Sequence, residues 1–186
     1  MSFADLHASA VRDLSTWAAP DAAQATLARR YLDQLAAHPD AVAKSGPPVH
    51  LTASCLVIDP AGEHVLLTLH RKARRWFQFG GHLEPQDVTL AAAAEREARE
   101  ESGLEAPSAL TMLPGPVQLD AHDLPVVFGR CRTHLDVRFV AVAARSATPV
   151  ISAESVDVAW WPADELPSGS EELVPLVAAA RQALVG

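Results

Sequence analysis

The sequence predicts a mixed fold, α/β or α+β, carried behind an N-terminal helical hairpin. Three observations lead there. Two opening stretches repeat apolar residues at three-and-four spacing. From residue 50 onward, short apolar segments alternate with turn residues, as strands do. A long, alanine-rich, charged stretch in mid-chain and an apolar one near the end read as helices among those strands.

Phe3, Leu6, Ala10, Leu14 and Trp17 share one face of a first helix. Ala18-Ala19-Pro20 ends it. Asp21, with Gln24 three residues on, is read as a capping box opening a second helix. Leu27, Tyr31 and Leu35 line that helix until His38-Pro39 stops it. The hairpin is expected to pack on the main domain; a lid or a homodimer contact is the alternative. Residues 40–49, with Lys44-Ser45-Gly46-Pro47-Pro48, read as a linker.

His50–Ile58 reads as a strand, Asp59-Pro60-Ala61-Gly62 as a turn, and Val65–Leu69 as the returning strand. Trp76–Phe79 is a short strand entering a glycine pair. Leu110–Leu113, Val117–Leu119 and Val126–Gly129 are apolar stretches, and His134–Ala143 reads as a core strand. Val156–Trp161 is a further strand. Ser170, Glu172, Leu173, Leu176 and Ala180 mark a C-terminal helix.

The chain has 186 residues, enough for one sizeable core with an appendage. The formal net charge of −8 excludes a basic nucleic-acid footprint. No apolar run reaches the ~18–20 residues of a membrane span, and the opening segment lacks the basic n-region of a secretory signal. Two cysteines, Cys55 and Cys131, make no disulfide framework, so a cytoplasmic location is expected. An anionic substrate would need a metal ion or local arginines to bring it in.

The stretch GGHLEPQDVTLAAAAEREAREESGL, residues 80–104, carries the chemistry. On a helix with ~100° per residue, Glu101 lies about 40° from Glu97 on one side and Glu100 about 60° on the other. Three carboxylates thus share one face. Arg99 is placed to pair with Glu95, and Arg96 with Glu100, each at i,i+4. Glu97 and Glu101 are left without a helical arginine partner. Leu90, Ala93 and Ala94 would let the helix lie close on a sheet, turning the acids toward the glycine pair. Like charges at this spacing repel unless neutralised, and a divalent cation with oxygen ligands would do so. A solvated charged helix capped by Gly103 is the plainer alternative.

This stretch resembles the Nudix box of the Nudix hydrolases: Gly, five residues, Glu, seven residues, then Arg-Glu-apolar-any-Glu-Glu-any-Gly-apolar. Arg96 to Leu104 match the second half throughout. The first half starts at Gly81 but has Asp87 in place of Glu and one extra residue before Arg96. It is similar to a GGHxEPxD form of the box with both departures. Likeness extends over about residues 50–167, through HVLLTLHRKARRWFQFGGH, HLDVRF and SAESVDVAWWPADELP.

The resemblance implies an α/β/α sandwich with a mixed sheet, binding Mg²⁺ or Mn²⁺ and hydrolysing a small-molecule diphosphate. Residues 1–45 would form the helical extension and 46–186 the hydrolase domain. Glu97, Glu100 and Glu101 would be metal ligands, or one of these acids, Glu100 or Glu101, would instead serve as base. Arg96 would orient Glu100, and the Gly80 carbonyl would reach the metal. Gly81 would permit a tight turn, and Asp87 would serve the loop or cap the helix. Glu154 is a late-loop acid that the family often supplies as a further ligand.

Arg71, Lys72, Arg74 and Arg75 form a basic cluster suited to distal phosphates, with a solvated loop as the alternative for each. His82 is placed to touch a phosphate. Trp76 reads as a core residue before a base-stacking one. His82, His122, Cys131, His134 and Asp136 offer soft ligands, but their order matches no known zinc module, so structural zinc is not expected. His134 and Asp136 share one side of their strand, facing the cleft. Cys55 reads as core and does not sit where a prenyl-diphosphate isomerase needs its cysteine. A nucleotide-binding or regulatory module on the same fold is the second reading. Against it stands the complete carboxylate set.

Overall fold

The computed structural model describes residues 2–125, 129–153 and 155–185. Among the described residues eight strands form one mixed sheet. Helix α1 (Phe3–Thr16) and helix α2 (Ala22–Ala37) open the chain. Strands β1 (Val49–Ile58), β2 (His64–His70), β3 (Trp76–Phe77) and β4 (Phe79–His82) precede helix α3 (Leu90–Ser102). Strands β5 (Thr111–Met112), β6 (Gln118–Asp123), β7 (Thr133–Val142) and β8 (Ser155–Pro162) follow, then helix α4 (Val174–Val185). The sequence-derived elements are found within a few residues. The stretch at 126–128 lies outside the described residues.

The central pair β1 and β7 runs parallel, from Val49 opposite Thr133 to Ile58 opposite Val142. On its other side β1 pairs twice. Its first half meets β4, with Ser54 opposite Gly80 and Ala53 opposite Gly81, and its last residues meet β2. One strand therefore carries both the glycine pair and the returning hairpin. Asp59 fixes that hairpin, its Oδ1 accepting from the Glu63 and His64 amides at 2.8 and 3.0 Å.

Alternation along β1 divides the interior. Leu51, Ala53, Cys55 and Val57 face a core shared with α1, α2 and α3. Leu56 and Ile58 face a second core, closed by Leu173, Leu176, Val177 and Ala180 at the α4 end. Helices thus cover both sheet faces. Cys55 is fully buried, as expected, and burial raises its thiol pKa, keeping it protonated. A short 3-10 turn, Glu171–Leu173, precedes α4, so that helix starts later than its sequence signals imply.

The hairpin packs into the main core: Leu6, Ala10, Leu14, Tyr31 and Leu35 are buried against the sheet and α3. Asp21 caps α2 through the Gln24 amide at 2.8 Å. The Gln24 side chain does not complete the expected box. It clips to β6 instead, accepting from the Leu119 amide at 2.7 Å and donating to the Leu119 carbonyl at 3.1 Å. Residues 40–49 are also more than a tether, since Ala41 and Val42 are fully buried. Among the described residues no helix is long and apolar enough to cross a membrane.

Candidate active site

Helix α3 begins at Thr89, whose hydroxyl accepts from the Ala92 amide at 3.0 Å. Gly103 ends it in the left-handed region, φ 69°, with its amide on the Arg99 carbonyl at 2.9 Å. Leu90, Ala93, Ala94 and Ala98 are fully buried, so small side chains let the helix lie close to the sheet. Glu95 is tied to Arg99 at 2.7 Å, as predicted, and Arg99 also donates to the Leu104 and Ala106 carbonyls, fastening the loop that follows.

Asp87 does not cap the helix. It is buried at 4% exposure and accepts Arg96 Nε and Nη2 at 3.0 Å each, plus the Glu84 amide at 2.7 Å. Arg96 is thereby fixed as a fork. Its remaining donors reach Glu97 Oε1 at 2.9 Å, Glu100 Oε2 at 3.2 Å and the His82 carbonyl at 3.1 Å. Glu97 therefore does have an arginine partner, contrary to the helical-spacing argument. A fork clamped at one end by Asp87 bends back to reach a neighbouring position that an i,i+4 rule omits. Burial works against the Arg96 charge, but the bonds to Asp87 and Glu97 outweigh it and raise its pKa further.

The three acids are not equivalent. Side-chain exposure is 15% for Glu97 and 60% for Glu100, and Glu101 is 9% exposed as a residue. Glu97 and Glu101 line a cleft of about 710 Å³ together with Gly80, Gly81 and His82. Glu101 Oε2 accepts from the Gly80 amide at 3.2 Å.

The glycine pair is not a turn. Gly80 and Gly81 lie within β4, and neither has a positive φ. They are needed for close approach. A Cβ at Gly80 would meet the Ser54 Cβ at 2.4 Å, and one at Gly81 would meet Glu97 Oε1 at 2.7 Å.

Asp136 of β7, which also lines the cleft, is held by Thr52 Oγ1 at 3.0 Å, Ser54 Oγ at 2.6 Å and Arg138 Nε at 3.1 Å. Arg138 also donates to Asp120 at 2.9 Å and to the Gln118 side chain at 2.9 Å. Both His134 and Asp136 do line the cleft.

Of the basic cluster, Arg71 and Lys72 line the cleft. Arg71 also donates to the Ser155 carbonyl at 2.7 Å. Arg75 is engaged elsewhere, with Glu172 at 2.8 Å and the Gly169 carbonyl at 2.6 Å. Arg74 holds a positive φ of 56° in the loop between β2 and β3. Lys44 lines the cleft as well, although its neighbours in sequence have the composition of a linker. No local signal marks it, since the fold alone brings 44 to the mouth of the cleft. Trp76 packs edge-on to Trp161 at 5.3 Å, as a structural residue. Glu154 lies outside the described residues.

Acids on a helix laid over a glycine-bearing strand, at the floor of a cleft walled by cations, define a phosphoanhydride hydrolase of the Nudix type. A family model described as the NUDIX domain matches residues 48–182, and the chain belongs to that family. Solved structures share the fold. A Clostridium perfringens hydrolase of the NUDIX family is 23% identical, with TM-score 0.53, over 73% of this chain and 96% of the other. A C. elegans Ap4A hydrolase is 18% identical, with TM-score 0.58, over 73% and 98%. The E. coli dihydroneopterin triphosphate pyrophosphohydrolase is 19% identical, with TM-score 0.53, over 74% and 92%. No curated protein matches the chain. Helices α1 and α2 precede the matched segment.

Proposed function

We propose that the protein hydrolyses the diphosphate bond of a nucleoside diphosphate linked to another moiety, with Mg²⁺ or Mn²⁺ held by the acids of α3. The observation that carries this reading is the meeting of Glu97 and Glu101 with the Gly80–Gly81 strand inside the cleft. The donors are hard oxygens, which suit these cations. Glu97, Glu100 and Glu101 would hold the ion with the Gly80 carbonyl. The Gly80 amide is directed at Glu101, and a strand residue's N–H and C=O share an edge, so its carbonyl faces the same acids. When bound, such an ion offsets phosphate charge and acidifies a water.

The chain's own residues supply the rest. Asp87 positions Arg96, and Arg96 keeps the Glu97 and Glu100 carboxylates from separating under their own repulsion. Glu101, buried at the cleft floor, is better placed than the exposed Glu100 to take the proton of the attacking water. Arg71 and Lys72 are suited to the distal phosphate or the attached group. Two of the structures sharing the fold are named for Ap4A and dihydroneopterin triphosphate, both of which carry phosphoanhydride bonds, which agrees with cleavage of such a bond. Free cysteines agree with a cytoplasmic enzyme.

The test is phosphate release from a panel of nucleotide diphosphate derivatives with added Mg²⁺, for the native chain and Glu101→Gln. Turnover that falls about 10²–10³-fold in the variant supports the assignment. Equal turnover by both rejects it.

A further inference from the structure

Where His82 and His134 line the cleft, four side chains meet that the reaction above does not use as a set. They are His50 of β1, His82 at the end of β4, Cys131 in the segment just before β7, and His134 of β7. One ligand atom from each lies within 4.8 Å of every other. Register explains the convergence: His50 stands opposite His134 in the parallel pair, and His82 stands opposite Thr52, two residues along β1 from His50. The 131–133 segment is docked by the Arg132 amide on the Pro48 carbonyl at 2.8 Å, which carries Cys131 to the same place. The three imidazole centroids are 5.1–5.2 Å apart.

We propose that these four residues form a structural site for one zinc ion, distinct from the carboxylate site on α3. Two observations beyond proximity support it. His50 Nε2 and His134 Nε2 are buried and have no hydrogen-bond partner among the described residues. Buried polar nitrogens left unpaired cost stability, and a ligand on them removes that cost. Second, His50 Nδ1 lies 3.0 Å from the Pro47 carbonyl. A carbonyl accepts only, so Nδ1 carries the hydrogen and Nε2 presents its lone pair to the group. This is the outer-shell bond that orients a metal-binding histidine. His82 Nε2 is the third nitrogen, 3.9 Å from the Cys131 sulfur.

Three imidazoles with one thiol suit zinc and not magnesium. Bonds of ~2.0–2.1 Å to nitrogen and ~2.3 Å to sulfur place tetrahedral ligand atoms roughly 3.4–3.6 Å apart, so separations within 4.8 Å shorten by at most about 1.4 Å on binding. Binding releases the Cys131 thiol proton to solvent, and the resulting thiolate offsets one of the two positive charges of the ion. Four protein ligands leave no open position, the mark of a structural site. The ion would brace β1, β4 and β7 where they frame the cleft. It would hold the backbone of His82, whose carbonyl receives Arg96.

Metal content of the full chain, expressed with zinc and stripped of loosely held ions by gel filtration, decides the matter together with a cobalt(II) exchange spectrum. About one equivalent of retained zinc is expected, and tetrahedral cobalt d–d bands with a thiolate charge-transfer band. Cys131→Ser should abolish the charge-transfer band. Its combination with His134→Ala should lower zinc affinity tenfold or more. Glu97→Gln/Glu101→Gln should leave zinc content unchanged, which separates this site from the carboxylate site. A native chain that retains no zinc and gives no tetrahedral cobalt spectrum overturns the proposal. So does zinc content indifferent to the Cys131 and His134 changes. The native spectrum decides even where the double variant fails to fold.

Discussion

The Glu97 carboxylate rests against the bare α-carbon of Gly81: a Cβ placed there would lie 2.7 Å from Oε1 and 3.0 Å from Oε2. Backbone and acid are in contact because nothing stands between them. Gly81→Ala should push the carboxylate aside and lower kcat about 10–100-fold. The loss in stability should be modest, because a flexible side chain is what moves. Steady-state kinetics across a magnesium titration, with a melting curve beside it, checks both halves. Unchanged kinetics would show that the contact is incidental.

Exposure ranks the acids. Glu101→Gln and Glu97→Gln should each reduce kcat more than Glu100→Gln, because Glu100 is 60% exposed and stands outside the cleft lining. The larger effects should reach about 10²-fold. Chelation with EDTA should abolish turnover of the native chain, and added Mg²⁺ or Mn²⁺ should restore it. A Glu100→Gln effect larger than that of Glu101→Gln would overturn the ranking.

Asp87 anchors Arg96 from a buried position. Asp87→Ala leaves the Arg96 fork and the Glu84 amide short of an acceptor and should cost about 1–3 kcal/mol. Activity should fall with it, since Glu97 and Glu100 lose their fixed partner. Asp87→Asn keeps one acceptor and should lie between. Chemical denaturation separates the three forms.

The basic cluster should divide in two. Lys72→Ala should raise KM with little change in kcat, as expected for a cleft cation that contacts substrate distant from the reacting bond. Arg75→Ala should leave KM alone, because Arg75 faces Glu172. Its exposed pair contributes no more than about 1 kcal/mol. A KM shift from Arg75→Ala would move the substrate path toward α4.

Tyr31 ties the hairpin to the sheet. Its hydroxyl lies 2.7 Å from the Asp120 carbonyl and 3.1 Å from that of Asp136. Burial, then the negative charges of Asp136 and Asp120, raise its pKa far above the ordinary value, so it stays a donor at any working pH. Tyr31→Phe should cost about 0.5–1.5 kcal/mol and leave a single unfolding transition. Two resolved transitions would show that α1 and α2 unfold apart from the rest.

Local pattern was enough for much of this. Periodicity placed α1, α2, α3 and β1, and the order Arg96-Glu97-Ala98-Arg99-Glu100-Glu101 sufficed to nominate the acids, because helical geometry converts spacing directly into a shared face. What periodicity lacks is any knowledge of what lies opposite. The Asp87–Arg96–Glu97 chain crosses from a loop to a helix. The role of Gly81 depends on a carboxylate sixteen positions later, and Lys44 reaches the cleft from a segment with no pattern at all. Most of all, His50 joins His82, Cys131 and His134 because parallel pairing sets 50 beside 134, across eighty-four positions of chain. Such meetings come from long-range strand register. Register is fixed by burial of whole strand faces, a collective property that no short window of sequence contains.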